Sequence, residues 1–192
     1  MLAAVVPEAE LKDTGAGVVP VSAGWFVLNA RDARWLRRPG RGFSLPLTGW
    51  TEEEAETLFP MLGVNLWVLD PGRPLAMYHH ETEQEGFLVV AGEAVLLVEG
   101  QERPMRQWDY AHFPPGTAHT LVGAGESPCV VVAVGSRQFQ ATGPWGAYTV
   151  DEAAIRRGAG VEDETDDPEV AYARFPDTEP TRYEDDWLGG AP

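Results

Sequence analysis

Two segments decide the reading of this chain. They are Gly72-Arg-Pro-Leu-Ala-Met-Tyr78-His79-His80-Glu-Thr-Glu-Gln-Glu85-Gly-Phe-Leu-Val-Val-Ala-Gly92 and, after a gap of fifteen residues, Trp108-Asp109-Tyr-Ala-His112-Phe-Pro114-Pro115-Gly116-Thr-Ala-His119. Together they hold all four histidines of the 192-residue chain. Imidazole nitrogen and carboxylate oxygen are the donors that hold a borderline divalent metal. Two histidines and a carboxylate on neighbouring strands can converge inside a barrel and leave coordination positions open. Adjacent side chains of a strand point to opposite faces, so His79 and His80 cannot both face inward unless the strand bulges. Tyr78 shares its face with His80. Pro114-Pro115-Gly116 is a turn that ends one strand and delivers His119 at the start of the next.

The flanking sequence reads as strands. Gly63–Asp70, Phe87–Ala91, Ala94–Val98 and Cys129–Val134 are short runs of β-formers. Asp70-Pro71-Gly72, Gly92-Glu93 and Glu99-Gly100-Gln101-Glu102 punctuate them as turns. Strands at this spacing favour an all-β sandwich or barrel over βαβ units. Their nearly unbroken apolar runs suit strands covered on both faces. Helix signals are few. Thr51–Phe59 opens with a capping-box pattern, Thr51 and Glu54, and Pro60 stops it. Val150–Arg157 places acids first and arginines last, with Gly158 as its terminator.

The two segments resemble the motifs of the cupin family. The first motif runs Gly, five residues, His-x-His, three or four residues, Glu, six residues, Gly; here Gly72, His80, Glu85 and Gly92 fall in register. The second runs Gly, five residues, Pro-x-Gly, two residues, His, three residues, Asn; here Pro114, Gly116 and His119 fall in register. Three positions depart: Tyr78 stands at the first His, Trp108 at the opening Gly of the second motif, and Gly123 at its closing Asn. The resemblance implies a cupin-type β-barrel (a double-stranded β-helix or jelly roll) with short flanking helices and an acidic C-terminal arm. Its expected organisation is a flexible lead-in over residues 1–22, the barrel over 23–140 and an extension over 141–192 packed on the barrel or on a partner subunit. The implied metal ligands are His80, Glu85 and His119, with His79 as the alternative to His80. Tyr78 is a further candidate, as a fourth ligand or as a group near the metal, and Tyr78 and His112 are the candidates for positioning substrate or moving a proton. The implied cofactor is a divalent metal ion, iron, manganese, nickel, zinc or copper, and family resemblance also implies a homodimer.

Composition narrows the partners. The chain carries fourteen Lys and Arg against thirty Asp and Glu, a formal charge of −16. That balance argues against nucleic acid and against a lipid surface. No run approaches the ~18 apolar residues of a membrane helix, and the N-terminus lacks the basic flank of a signal peptide, so a cytoplasmic protein is expected. Cys129 is the only cysteine, read as a small buried hydrophobe. Thirteen acids and four bases lie between Asp151 and Pro192, where Tyr172, Phe175, Tyr183 and Trp187 supply anchors that a disordered tail usually lacks. Arg31, Arg34, Arg37, Arg38 and Arg41 form a local basic island. It reads as a solvated face pairing with the chain's own acids, or as an anion or partner site. Neither a phosphate-binding Gly-Lys-Ser/Thr loop nor a Gly-x-Ser-x-Gly elbow is present. Three functions stay open: a metal-dependent enzyme, oxygenase-like or isomerase-like, on a small oxygenated or anionic substrate; a non-catalytic small-ligand module with a weakened metal site; and a structural protein whose acidic arm is its interface.

Overall fold

The computed structural model describes residues 6–49, 58–137, 144–185 and 187. Of the helix expected over Thr51–Phe59, residues 51–57 lie outside the described residues. Two sheets face each other. The larger contains β3 (Trp35–Arg38), β4 (Gly42–Pro46), β5 (Leu62–Leu69), β7 (Glu85–Ala91), β10 (Tyr110–Phe113), β12 (Cys129–Ser136) and β14 (Glu179–Thr181), in the order β10-β7-β12-β5-β4-β3-β14. The smaller contains β6 (His79–Glu81), β8 (Glu93–Val98), β9 (Gln101–Arg106), β11 (His119–Ala124) and β13 (Gly146–Tyr148), in the order β13-β6-β11-β8-β9. Every pairing within them is antiparallel. This is the all-β jelly-roll barrel that the turn-punctuated strands imply.

Alternation along β12 shows why its apolar run is unbroken. Cys129, Val131 and Ala133 enter the barrel core with Leu69, Phe87, Val89, Phe113 and Leu121. Val130 belongs to a second core with Trp35, Leu45, Val68 and Trp187. The first three residues of the strand are therefore buried on both faces, and each fully buried Val, Leu or Phe contributes about 1.5–3 kcal/mol of transfer free energy.

The second core is built from the flanks. Part of the segment read as a lead-in forms the hairpin β1 (Leu11–Asp13) and β2 (Val18–Pro20), and Val19 is buried against Ala33 and Trp35. At the other end β14 pairs with β3, and Trp187 packs 4.6 Å from the Trp35 ring and 4.5 Å from that of Phe43. Two short helices intervene. α1 (Glu152–Arg156) starts on Asp151, whose side chain accepts from Ala154 N, and α2 (Pro168–Tyr172) starts on Asp167, whose side chain accepts from Glu169 N. These caps aim α2 so that Tyr172 meets the barrel mouth.

The motif departures have local causes. A Cβ at Gly123 would lie 2.4 Å from the Asp70 carbonyl oxygen, so no asparagine fits there. Trp108 occupies the third position of the turn Arg106–Asp109, which is closed by Asp109 N donating to Arg106 O at 3.0 Å. Its φ is +75°, the left-handed region that this turn position ordinarily gives to glycine, and its side chain is exposed. Trp108→Gly should therefore stabilise the fold by about 1 kcal/mol, the left-handed penalty less glycine's extra unfolded entropy. Urea denaturation checks this, and a lower midpoint would mean that the indole makes a stabilising contact.

Candidate metal and ligand site

Register selects which histidine faces inward. His119, the first residue of β11, is the direct antiparallel partner of His79 on β6. Directly opposed residues of an antiparallel pair project to the same face, so the two rings lie side by side with centroids 5.3 Å apart. His80 takes the other face, with Tyr78, and neither lines the cavity. Glu85 opens β7 opposite Phe113, an inward-facing core residue, and so joins the same interior. His79, Glu85 and His119 each offer one ligand atom, and these atoms lie within 4.8 Å of one another. Of the pair weighed from the sequence, the structure brings His79 rather than His80 to the cluster. No bulge is needed, because His119 dictates the choice through the ladder.

Hydrogen bonds orient both rings identically. His79 Nδ1 lies 2.7 Å from the Met77 carbonyl oxygen, and His119 Nδ1 lies 2.8 Å from that of Thr117. A carbonyl only accepts, so each Nδ1 carries a proton and each Nε2 points to the interior, where the neutral ring would offer its lone pair to a metal. His119 Nε2 is 3.0 Å and His79 Nε2 is 3.8 Å from Glu85 Oε2. A second carboxylate, Glu81 Oε1, stands 3.6 Å from His79 Nε2. Imidazole nitrogens and carboxylates converging at these distances call for a cation between them, a proton on the ring or a metal ion. Burial by itself disfavours the His79 imidazolium, but Glu81, Glu85 and the Met77 carbonyl outweigh it and raise the pKa above the ordinary histidine value. His119 is held in plane as well, since Phe113 stacks on it with ring centroids 3.7 Å apart.

His79 and Glu85, with Glu81, line a cavity of about 770 Å³, a size that suits a small molecule, and His119 lies buried behind them. Much of its remaining wall comes from outside the two motifs: Arg38 and Arg41, Trp67 on β5, Trp145 and Tyr148 beside and on β13, and Tyr172 and Phe175 at and after α2. Trp145 and Tyr148 place their rings 6.0 and 5.9 Å from that of His79. Burial raises the Tyr148 phenol pKa, helped by its contact with Tyr172, so Tyr148 stays neutral. Tyrosine 172 and phenylalanine 175 were visible in the sequence as anchors, without any signal that they would roof the cavity.

Both residues expected to position substrate lie elsewhere. Tyr78 is buried among Leu97, Val122, Ala154 and Ala159, away from the cavity, and burial raises its phenol pKa. His112 is exposed, because β10 alternates and turns Ala111 and Phe113 inward. The basic island divides. Arg31 pairs with Asp185 at 3.3 Å and Arg37 with Glu179 at 3.8 Å on the solvated face, while Arg38 and Arg41 turn into the cavity.

An antiparallel two-sheet barrel with two histidines and one carboxylate converging from β6, β7 and β11 defines a jelly-roll barrel with a candidate metal centre. Residues 65–135 match the family model described as Cupin domain. Among solved structures, the chain is similar to a sugar phosphate isomerase from a cupin superfamily of Silicibacter pomeroyi, with 29% identity over 65% of this chain and 74% of that one, TM-score 0.44. It is also similar to a Cupin 2 conserved barrel domain protein of Salinispora arenicola, with 24% identity over 59% of this chain and 89% of that one, TM-score 0.45. A third similar structure, from Acidithiobacillus ferrooxidans, shares 22% identity over 50% of this chain, with TM-score 0.42, and the chain spans only 60% of its length. No curated protein matches the chain. Among the described residues no helix is long and apolar enough to cross a membrane.

Proposed function

We propose that the barrel is a small-molecule site built on a divalent metal held by His79, Glu85 and His119, and that the protein is a metal-dependent enzyme. The observation that carries this reading is the matched pair of imidazoles, each with Nδ1 tied to a carbonyl and Nε2 aimed at the same Glu85 oxygen. The 3.0 Å separation of His119 Nε2 and Glu85 Oε2 suits adjacent ligands at about 2.1 Å from one ion, which lie roughly 3 Å apart, and His79 Nε2 at 3.8 Å stands just outside that distance. Two histidines and one carboxylate leave coordination positions free for substrate, and a bound divalent ion would supply Lewis acidity there. Phe113 and the carbonyls of Met77 and Thr117 hold the imidazoles, Glu81 sets a second carboxylate beside His79, and Trp145 and Tyr148 line the wall next to it.

A chelator-stripped sample is expected to gain about 2.7 kcal/mol of stability when a divalent ion is added at a hundred times its dissociation constant. Titration with manganese, iron(II), nickel, zinc and copper(II), followed by thermal melting, reads this directly. A protein whose melting responds to none of them would have no such centre. The non-catalytic reading has its own support, since both residues expected to move protons, Tyr78 and His112, lie outside the cavity. A metal-loaded protein that binds small molecules without turning any over would favour it.

A further inference from the structure

The cavity lined by His79 and Glu85 also holds two cations that have no ion-pair partner among the described residues. Arg38 ends β3, and Arg41 sits in the turn that leads to β4. Arg41 is only 7% exposed, and its Nε has no hydrogen-bond partner. Its guanidinium carbon lies 4.4 Å from the Tyr172 ring centroid and 5.3 Å from that of Trp67, and Nη2 donates to the Leu75 carbonyl. Arg38 donates from Nε to Ser44 Oγ at 2.8 Å and lies 5.2 Å from the Trp67 centroid. Rings and a carbonyl hold these groups in place without cancelling their charge.

Among the described residues neither arginine forms an ion pair. The chain has thirty carboxylates to offer. Those of the cavity stand elsewhere: Glu81 and Glu85 beside the histidines, Glu169 and Asp177 exposed at the rim. Burial, and then the charge of Arg41, lower the Arg38 pKa to about 10, and burial lowers that of Arg41. Tyr148 cannot supply the missing anion, because its phenol stays neutral. Two neighbouring charges of one sign, one buried and one half-buried, are unfavourable unless an anion joins them.

We infer that Arg38 and Arg41 form an oxyanion subsite, so that the ligand is a small molecule with a carboxylate or phosphate group at this end. The planar, multi-donor guanidinium suits both groups. The inference rests on the cavity being a small-molecule site, as proposed above, and it names the class of ligand. Aromatic rings join the two ends: Tyr172, which carries Arg41 on its face, is 5.5 Å from Tyr148, and Tyr148 is 5.9 Å from His79. A short ligand can thus anchor on the arginines and present a polar group at the histidines.

The test uses chelator-stripped full-length protein, with inorganic phosphate in one arm and malonate in the other. Melting temperature is followed against anion concentration in wild type, Arg41→Met and the less buried Arg38→Gln. Wild type should show a saturable rise with one or both anions, and the apparent affinity should fall by about tenfold or more in either variant. The arm with the tighter saturation assigns phosphate or carboxylate. Arg41→Met without anion should melt no lower than wild type, since it removes an uncompensated buried charge; a merely structural arginine would leave it less stable. A rise that stays linear in wild type, or that is the same in Arg38→Gln, is the general effect of an excluded salt and overturns the inference. Both variants should retain the melting response to divalent metal, so loss of the arginine site and loss of the metal site give different results.

Discussion

His79→Ala should abolish divalent-metal loading, while His80→Ala leaves it intact. The two residues are neighbours in sequence, and the family motif puts His80 in register. Pairing with His119 nevertheless turns His79 inward and His80 outward. Removing one of three ligands takes away a direct bond, so affinity should fall by more than the roughly 10–100-fold seen when only a supporting hydrogen bond is lost. At a metal concentration near a hundred times the wild-type dissociation constant, the variant should therefore lose most of the roughly 2.7 kcal/mol of metal-linked stability. His119→Ala and Glu85→Gln should follow His79→Ala. Metal content by mass spectrometry, together with melting curves with and without chelator, measures both quantities. Equal loading of His79→Ala and His80→Ala would show that neither belongs to the centre. Loss in His80→Ala alone would place the strand one residue out of the register described here.

Trp187→Ala should cost about 3 kcal/mol, the low end for removing a buried Trp, because the arm can partly relax around the gap. The indole is 5% exposed and closes an aromatic cluster with Trp35, Phe43 and Tyr183. The same arm carries Tyr172 and Phe175 to the cavity. The change should therefore lower the urea midpoint and also weaken any ligand that uses the Tyr172 wall. An unchanged midpoint would mean that the arm contributes nothing to the fold. A tail held only by its acids could be trimmed at little cost, because exposed pairs such as Arg31–Asp185 are worth about 0–1 kcal/mol each.

Much of the barrel is legible locally. Strand runs separated by Asp-Pro-Gly and Pro-Pro-Gly turns depend on neighbouring residues alone, and so do the short helix at Val150–Arg157 and its Gly158 stop. His119 and Glu85 were also within reach, because each follows a turn at a fixed spacing. The choice between His79 and His80 was not, since a strand read alone has two equivalent faces and only its partner tells them apart. Tyr78 and His112 were read toward the cavity for the same reason and in fact face away from it.

By itself, then, the sequence determined an acidic all-β barrel with a histidine–carboxylate centre between Gly72 and His119, because turns, apolar runs and motif spacing are properties of adjacent residues. The tertiary structure decided which histidine enters, that Arg38 and Arg41 leave the solvated face of their island, and that residues more than sixty positions downstream of His79 wall the same cavity. Those outcomes depend on cross-strand register and on contacts distant in sequence, and no local pattern encodes either.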